Sequence, residues 1–92
     1  MEIRGVFVQE LDNEHYRIKI DCKFEVPKEV FAFVPPDGKS YHVKVGEYTE
    51  GDQAIIFDVP KKIIKKINFI TINCMSKDDS CDWIFLETGE LK

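Results

Sequence analysis

The segment from Tyr16 to Val26 constrains the fold of this chain more than any other. Tyr16, Ile18, Ile20, Cys22, Phe24 and Val26 alternate with Arg17, Lys19, Asp21, Lys23 and Glu25. Successive side chains on a strand point to opposite faces, so this period of two gives a β-strand with one apolar and one charged face. A helix, with its period of 3.6, cannot separate the two sets in that way. A strand wet on one side belongs to an antiparallel sheet, because parallel sheets are covered on both faces by their crossover helices. Upstream, Glu2 to Gln9 is rich in β-formers, and Asp12, Asn13 and Glu14 supply a polar turn, so the first two strands are expected to form a hairpin.

The rest of the chain repeats this scheme in shorter pieces. Pro27 stops the second strand, and Val30 to Val34 reads as a third that ends at Pro35-Pro36-Asp37-Gly38, a type I turn sequence. Tyr41, Val43 and Val45 alternate with Ser40, His42 and Lys44 in a fourth strand with a wet face. Ala54 to Val59 is a short apolar run closed by Pro60, which fits a buried fifth strand. Lys61, Lys62, Lys65 and Lys66 around Ile63 and Ile64 have helical spacing, enough for about one turn over the end of the sheet. Ile67 to Cys74 and Trp83 to Thr88 complete the pattern as a final hairpin around residues 76–80.

Seven short strands at regular spacing, with no helix-length periodicity, predict an all-β fold: a small antiparallel β-sandwich of immunoglobulin-like architecture, with a small barrel as the alternative. At 92 residues the chain is expected to form one domain over 1–92. The cysteine and tryptophan order of antibody domains is missing, because Trp83 follows Cys22, Cys74 and Cys81, so the likeness is one of architecture alone.

No apolar run approaches the roughly 20 residues that span a bilayer, and Glu2 and Arg4 interrupt the first apolar stretch, which argues against a signal peptide. A cytoplasmic location and no membrane partner are therefore expected. A net charge of −4 argues against nucleic acid as a partner.

No grouping prepares a side chain for catalysis. His15 falls in a turn and His42 on a wet strand face, neither beside a serine or cysteine that local sequence activates, and no glycine-rich phosphate loop follows a strand. No cofactor and no catalytic or metal-binding residue is assigned. Cys22 reads as a core side chain, whereas Cys74 and Cys81 flank the last turn and would face each other there as reduced thiols or as a cross-strand disulfide. Asp78, Asp79, Ser80 and Asp82, and Glu10, Asp12, Asn13 and Glu14, are the two oxygen-rich clusters from which a calcium or small-ligand site could be built; neither has the EF-hand pattern.

The informative anomaly is a surplus of apolar strand faces. Phe31 and Phe33 oppose Val30, Ala32 and Val34, and Trp83 and Phe85 oppose Ile84 and Leu86, yet a sandwich has one interior. The surplus must be covered by loops or by the lysine-rich turn, or else form a contact surface. The expectation is a non-enzymatic protein-binding or assembly module, of the kind a small bacterial or phage accessory or inhibitor protein would be, with another protein or a second copy as partner. Its candidate contacts are Phe31, Phe33, Trp83 and Phe85, with Lys61, Lys62, Lys65 and Lys66 as a basic spot. An alternative is an acidic decoy for a nucleic-acid-binding enzyme, presenting Glu47, Glu50 and Asp52 from one loop and Asp78, Asp79 and Asp82 from another.

Overall fold

The computed structural model describes residues 1–34, 41–65, 67–76 and 81–89, with side chains at 33, 34 and 41–43 left aside. Seven strands are present: β1 (Glu2–Glu10), β2 (His15–Phe24), β3 (Lys28–Val34), β4 (Tyr41–Tyr48), β5 (Gly51–Pro60), β6 (Phe69–Met75) and β7 (Cys81–Glu87), with one helical turn, α1 (Lys61–Ile64), between β5 and β6. They form two antiparallel sheets, β1-β2-β5 and β4-β3-β6-β7, and no closed barrel. Hairpins β1-β2, β3-β4 and β6-β7 alternate with connections that change sheet, which is the Greek-key logic of immunoglobulin-like sandwiches. The fourth strand joins the third here, whereas in the constant-type domain it joins the fifth. The turn sequence at 35–38 lies outside the described residues.

The alternation in β2 becomes the centre of one sheet. Ile18, Ile20, Cys22 and Phe24 point inward and are buried, while Arg17, Lys19, Asp21 and Lys23 pair across the outer face. Ile55, Phe57 and Val59 of β5 extend this inner layer. Val30 and Ala32 of β3, Ile70, Ile72 and Cys74 of β6, and Ile84 of β7 face them from the second sheet. β1 breaks parity, with Ile3, Val6 and Val8 all apolar. A bulge at Arg4 absorbs the odd residue, so that Ile3 stands opposite Cys22 and Val6 opposite Ile20 on the same inward face.

The lysine-rich turn covers one end of the interior and neither outer face. Ile64 and Ile67 are buried in the core, and the Lys61 amide donates to the Glu14 carbonyl at 2.7 Å, tying α1 to the β1-β2 turn. That turn is organised by Asp12, whose carboxylate accepts from the Glu14 and His15 amides at 2.7 and 2.8 Å and also lies 3.1 Å from the His15 ring. These donors, the Glu14 amide first, hold the Asp12 carboxyl below its ordinary value of 3.8. A depressed acid stabilises the fold above its unfolded pKa and loses that contribution as pH falls through the lower folded value. Asp12→Ala is therefore expected to melt below wild type at neutral pH. The gap should close as pH is taken below the carboxylate range, measured by thermal denaturation across pH.

Thr88 fixes the far end of β7. It is fully buried, its Oγ1 donates to the Ile67 carbonyl at 2.8 Å, and its amide donates to the Asn68 carbonyl at 3.0 Å. Thr88→Val keeps the shape but leaves the Ile67 carbonyl without the hydroxyl. A loss of about 1–3 kcal/mol in unfolding free energy is expected, read by urea titration.

Candidate protein-interaction surface

The outer faces of the two sheets differ in chemistry. On β1-β2-β5, Arg17 makes a two-pronged contact with Asp58 at 2.9 and 3.2 Å, Arg4 reaches Asp52 at 3.0 Å, and Lys19 separates Phe7 from Ile56 with its ammonium 5.9 Å from the Phe7 ring centroid. On β4-β3-β6-β7 the cross-strand rows set aromatic rings among polar side chains, with Lys44 opposite Phe31 at the β4 edge. Phe31, Asn73 and Trp83 form one row, with Thr71 and Phe85 paired in the next. Phe69 lies diagonal to Phe85, with ring centroids 6.4 Å apart and tilted by 56°. Trp83 is 52% and Phe85 69% exposed, and Phe69 and Met75 are exposed beside them. Asn73 is buried within this face, where it accepts from the Cys81 thiol at 3.1 Å.

Among the residues expected to make contacts, the structure brings Phe31, Trp83 and Phe85 to this face; the Phe33 side chain is outside the described residues. The lysines do not join them. Lys61 is engaged locally, 2.9 Å from Glu10 and 5.1 Å from the centroid of the Tyr16 ring, while Lys62 and Lys65 are exposed on the α1 turn and Lys66 is outside the described residues. Phe69 and Met75 were missed by sequence reasoning, although their alternation with Ile70, Ile72 and Cys74 could have placed them outside.

A second feature borders this face. β1 and β7 are edge strands on the same side of the sandwich, and the two sheets leave an open groove of about 700 Å³ between them. Val6, Val8, Tyr16, Ile18, Phe85 and Leu86 line it, with Glu10 and Glu87 at its rim. Val6 and Val8 face inward by register, yet they are 42% and 44% exposed, because the opposite sheet does not reach over them. Sequence reasoning gave β1 an apolar character but had no means of seeing that it lies at an uncovered edge.

The thiols have two distinct environments. In the register of β6 and β7, Cys81 stands opposite Met75, and Cys74 opposite Asp82. The expectation that Cys74 and Cys81 face each other is therefore corrected: they are one register step apart and on opposite faces, Cys74 in the core and Cys81 outside, which a disulfide cannot bridge. Cys22 and Cys74 face the same interior from the two sheets. Burial, reinforced by Cys22, pushes the Cys74 thiol up to about 12, and burial also raises Cys22. Of the three cysteines, only Cys81 is expected to react with a thiol reagent in the folded protein; Cys22 and Cys74 should react after denaturation, as peptide mapping of the labelled sites would show.

The oxygen-rich clusters are largely occupied within the fold. Asp12 is committed to its turn, and Asp82 lies 3.4 Å from the ammonium of the buried Lys28. Glu47 and Asp52 sit in β4 and β5, paired with Lys44 and Arg4 at 3.3 and 3.0 Å, whereas residues 78–80 lie outside the described residues. Among the described residues no group of three or more histidine, cysteine or acidic side chains could hold a metal ion, and no helix is long and apolar enough to cross a membrane. No family model matches the chain, and neither a curated protein nor a solved structure matches it.

Proposed function

We propose that this chain is a non-enzymatic protein-binding module that engages its partner through the outer face of β6 and β7 and the free edge of β7. The observation that carries the reading is the exposure of Trp83 and Phe85 side by side on an edge strand. Burying a large apolar side chain is worth about 1.5–3 kcal/mol, so two rings with half or more of their surface exposed are a reserve of binding energy. Tryptophan is also among the residues that most often dominate an interface. The free backbone edge adds a row of hydrogen-bonding groups on which an extended segment can register. Three free cysteines agree with a reducing, cytosolic setting.

The test compares faces. The immobilised chain is used to capture its partner side by side with Trp83→Ala and Phe85→Lys, and with Ile56→Lys on the opposite sheet as control. Loss of about 2 kcal/mol, roughly 30-fold in affinity, is expected for the first two and none for the control. Equal capture by all three variants would place the binding surface elsewhere.

A further inference from the structure

Among the described residues the two sheets have four edges, and these are unequally protected against pairing with another chain. β1 carries a bulge at Arg4 and charges at Glu2 and Arg4; β4 has a register shift opposite Val30 and Phe31, with Lys44 and Glu47 along it; β5 has Asp52 and Asp58 and closes at Pro60. Bulges, charges and prolines are the usual devices by which an edge strand is kept from adding a further strand. β7, from Cys81 to Glu87, pairs with β6 in unbroken register and contains no proline and no basic residue. Its one internal charge, Asp82, lies on the inward side opposite Cys74 and 3.4 Å from Lys28, so the outward row of Cys81, Trp83 and Phe85 carries no charge.

We propose that β7 pairs antiparallel with β7 of a second copy of this chain, about a two-fold axis at Ile84, joining two four-stranded sheets into one of eight strands. The proposal rests on the reading of β6 and β7 as the interaction surface and names the occupant. The strand is self-complementary in this register. Trp83 and Phe85 flank Ile84 by one residue on either side, so each Trp83 stands opposite the second copy's Phe85, and four rings form a ladder on the outer face. Glu87 comes opposite Cys81, and Asp82 opposite Leu86, so the register opposes no like charges. The same axis turns the open flank of each sandwich toward the other. Val6, Val8 and Leu86, which line the groove between β1 and β7, then close on their counterparts and not on water. A strand from an unrelated protein could use the edge, but only a second copy satisfies the symmetric ring register and closes both grooves at once.

Size-exclusion chromatography with light scattering, run over rising concentration, reads the oligomeric state, and Trp83, the only tryptophan, reports from the proposed contact by its fluorescence. A dimer mass at high concentration with a blue-shifted Trp83 emission is expected. Phe85→Lys should raise the dimer dissociation constant by about tenfold or more and leave the emission solvent-like, with circular dichroism unchanged because residue 85 lies outside the core. Trp83→Glu should also be monomeric by light scattering, and Ile56→Lys should dimerise like wild type. A monomer at every concentration, or a dimer that survives Phe85→Lys, would overturn the proposal. In the first case, capture of another protein that Phe85→Lys abolishes would leave the broader binding reading standing.

Discussion

The structure depends on the burial of one face of β2. Ile18, Ile20, Cys22 and Phe24 are placed inward by the pleat alone, and β2 is the middle strand of its sheet, so β1 and β5 both take their register from it. A slip of one residue would expose all four and bury Arg17, Lys19, Asp21 and Lys23, a penalty no local rearrangement could offset. The second sheet presents Val30, Ala32, Ile70, Ile72 and Cys74 to that layer, and the interior is complete across β2, β5, β3 and β6. It is incomplete at β1, and the functional reading follows from that asymmetry.

The buried polar groups of this small fold are satisfied in ways that also set its geometry. Lys28 is buried with its ammonium against Asp82, linking β3 to β7 across the sheet that β6 otherwise separates. Asn73, enclosed between aromatic neighbours on the outer face, takes the Cys81 thiol as donor. Burying such groups without partners would cost several kcal/mol in a fold of this size, whose net stability is only about 5–15 kcal/mol. Their pairing ties β3, β6 and β7 to one another beneath and beside the exposed aromatic rings.

Much of the fold was legible because its central strand states its own periodicity. The alternation from Tyr16 to Phe24 marked a half-wet antiparallel strand, although β2 stops at Phe24 and leaves Val26 exposed ahead of Pro27; Pro60 and the polar turn at 12–14 marked other strand ends, and the spacing around Ile63 and Ile64 gave the helical turn that caps the interior. What could not be read was which strands lie at edges and what stands opposite them. Phe31, Trp83 and Phe85 were recognisable as surplus, since one interior cannot take both faces of β3 and β7. The exposure of Val6 and Val8, by contrast, depends on how far the opposite sheet extends, which no local pattern encodes. Cys74 and Cys81 were misplaced for a related reason: symmetry about the last turn suggests a pair, but hairpin register is set by loop length, and one residue of offset sends the two thiols to opposite faces.

β7 is clamped at both of its ends, with Thr88 as one anchor. Its tail is held by two hydrogen bonds to the 67–68 segment, which continues from the α1 turn that is itself bonded to the β1-β2 turn. That end of the strand is thus coupled to both sheets, and so is the other: Asp82 lies 3.4 Å from the Lys28 ammonium and 3.5 Å from the Met1 nitrogen, which leads into β1. Trp83 and Phe85 therefore sit between two fixed points, so the aromatic edge is held as a rigid rail and not as a strand free to peel from either end.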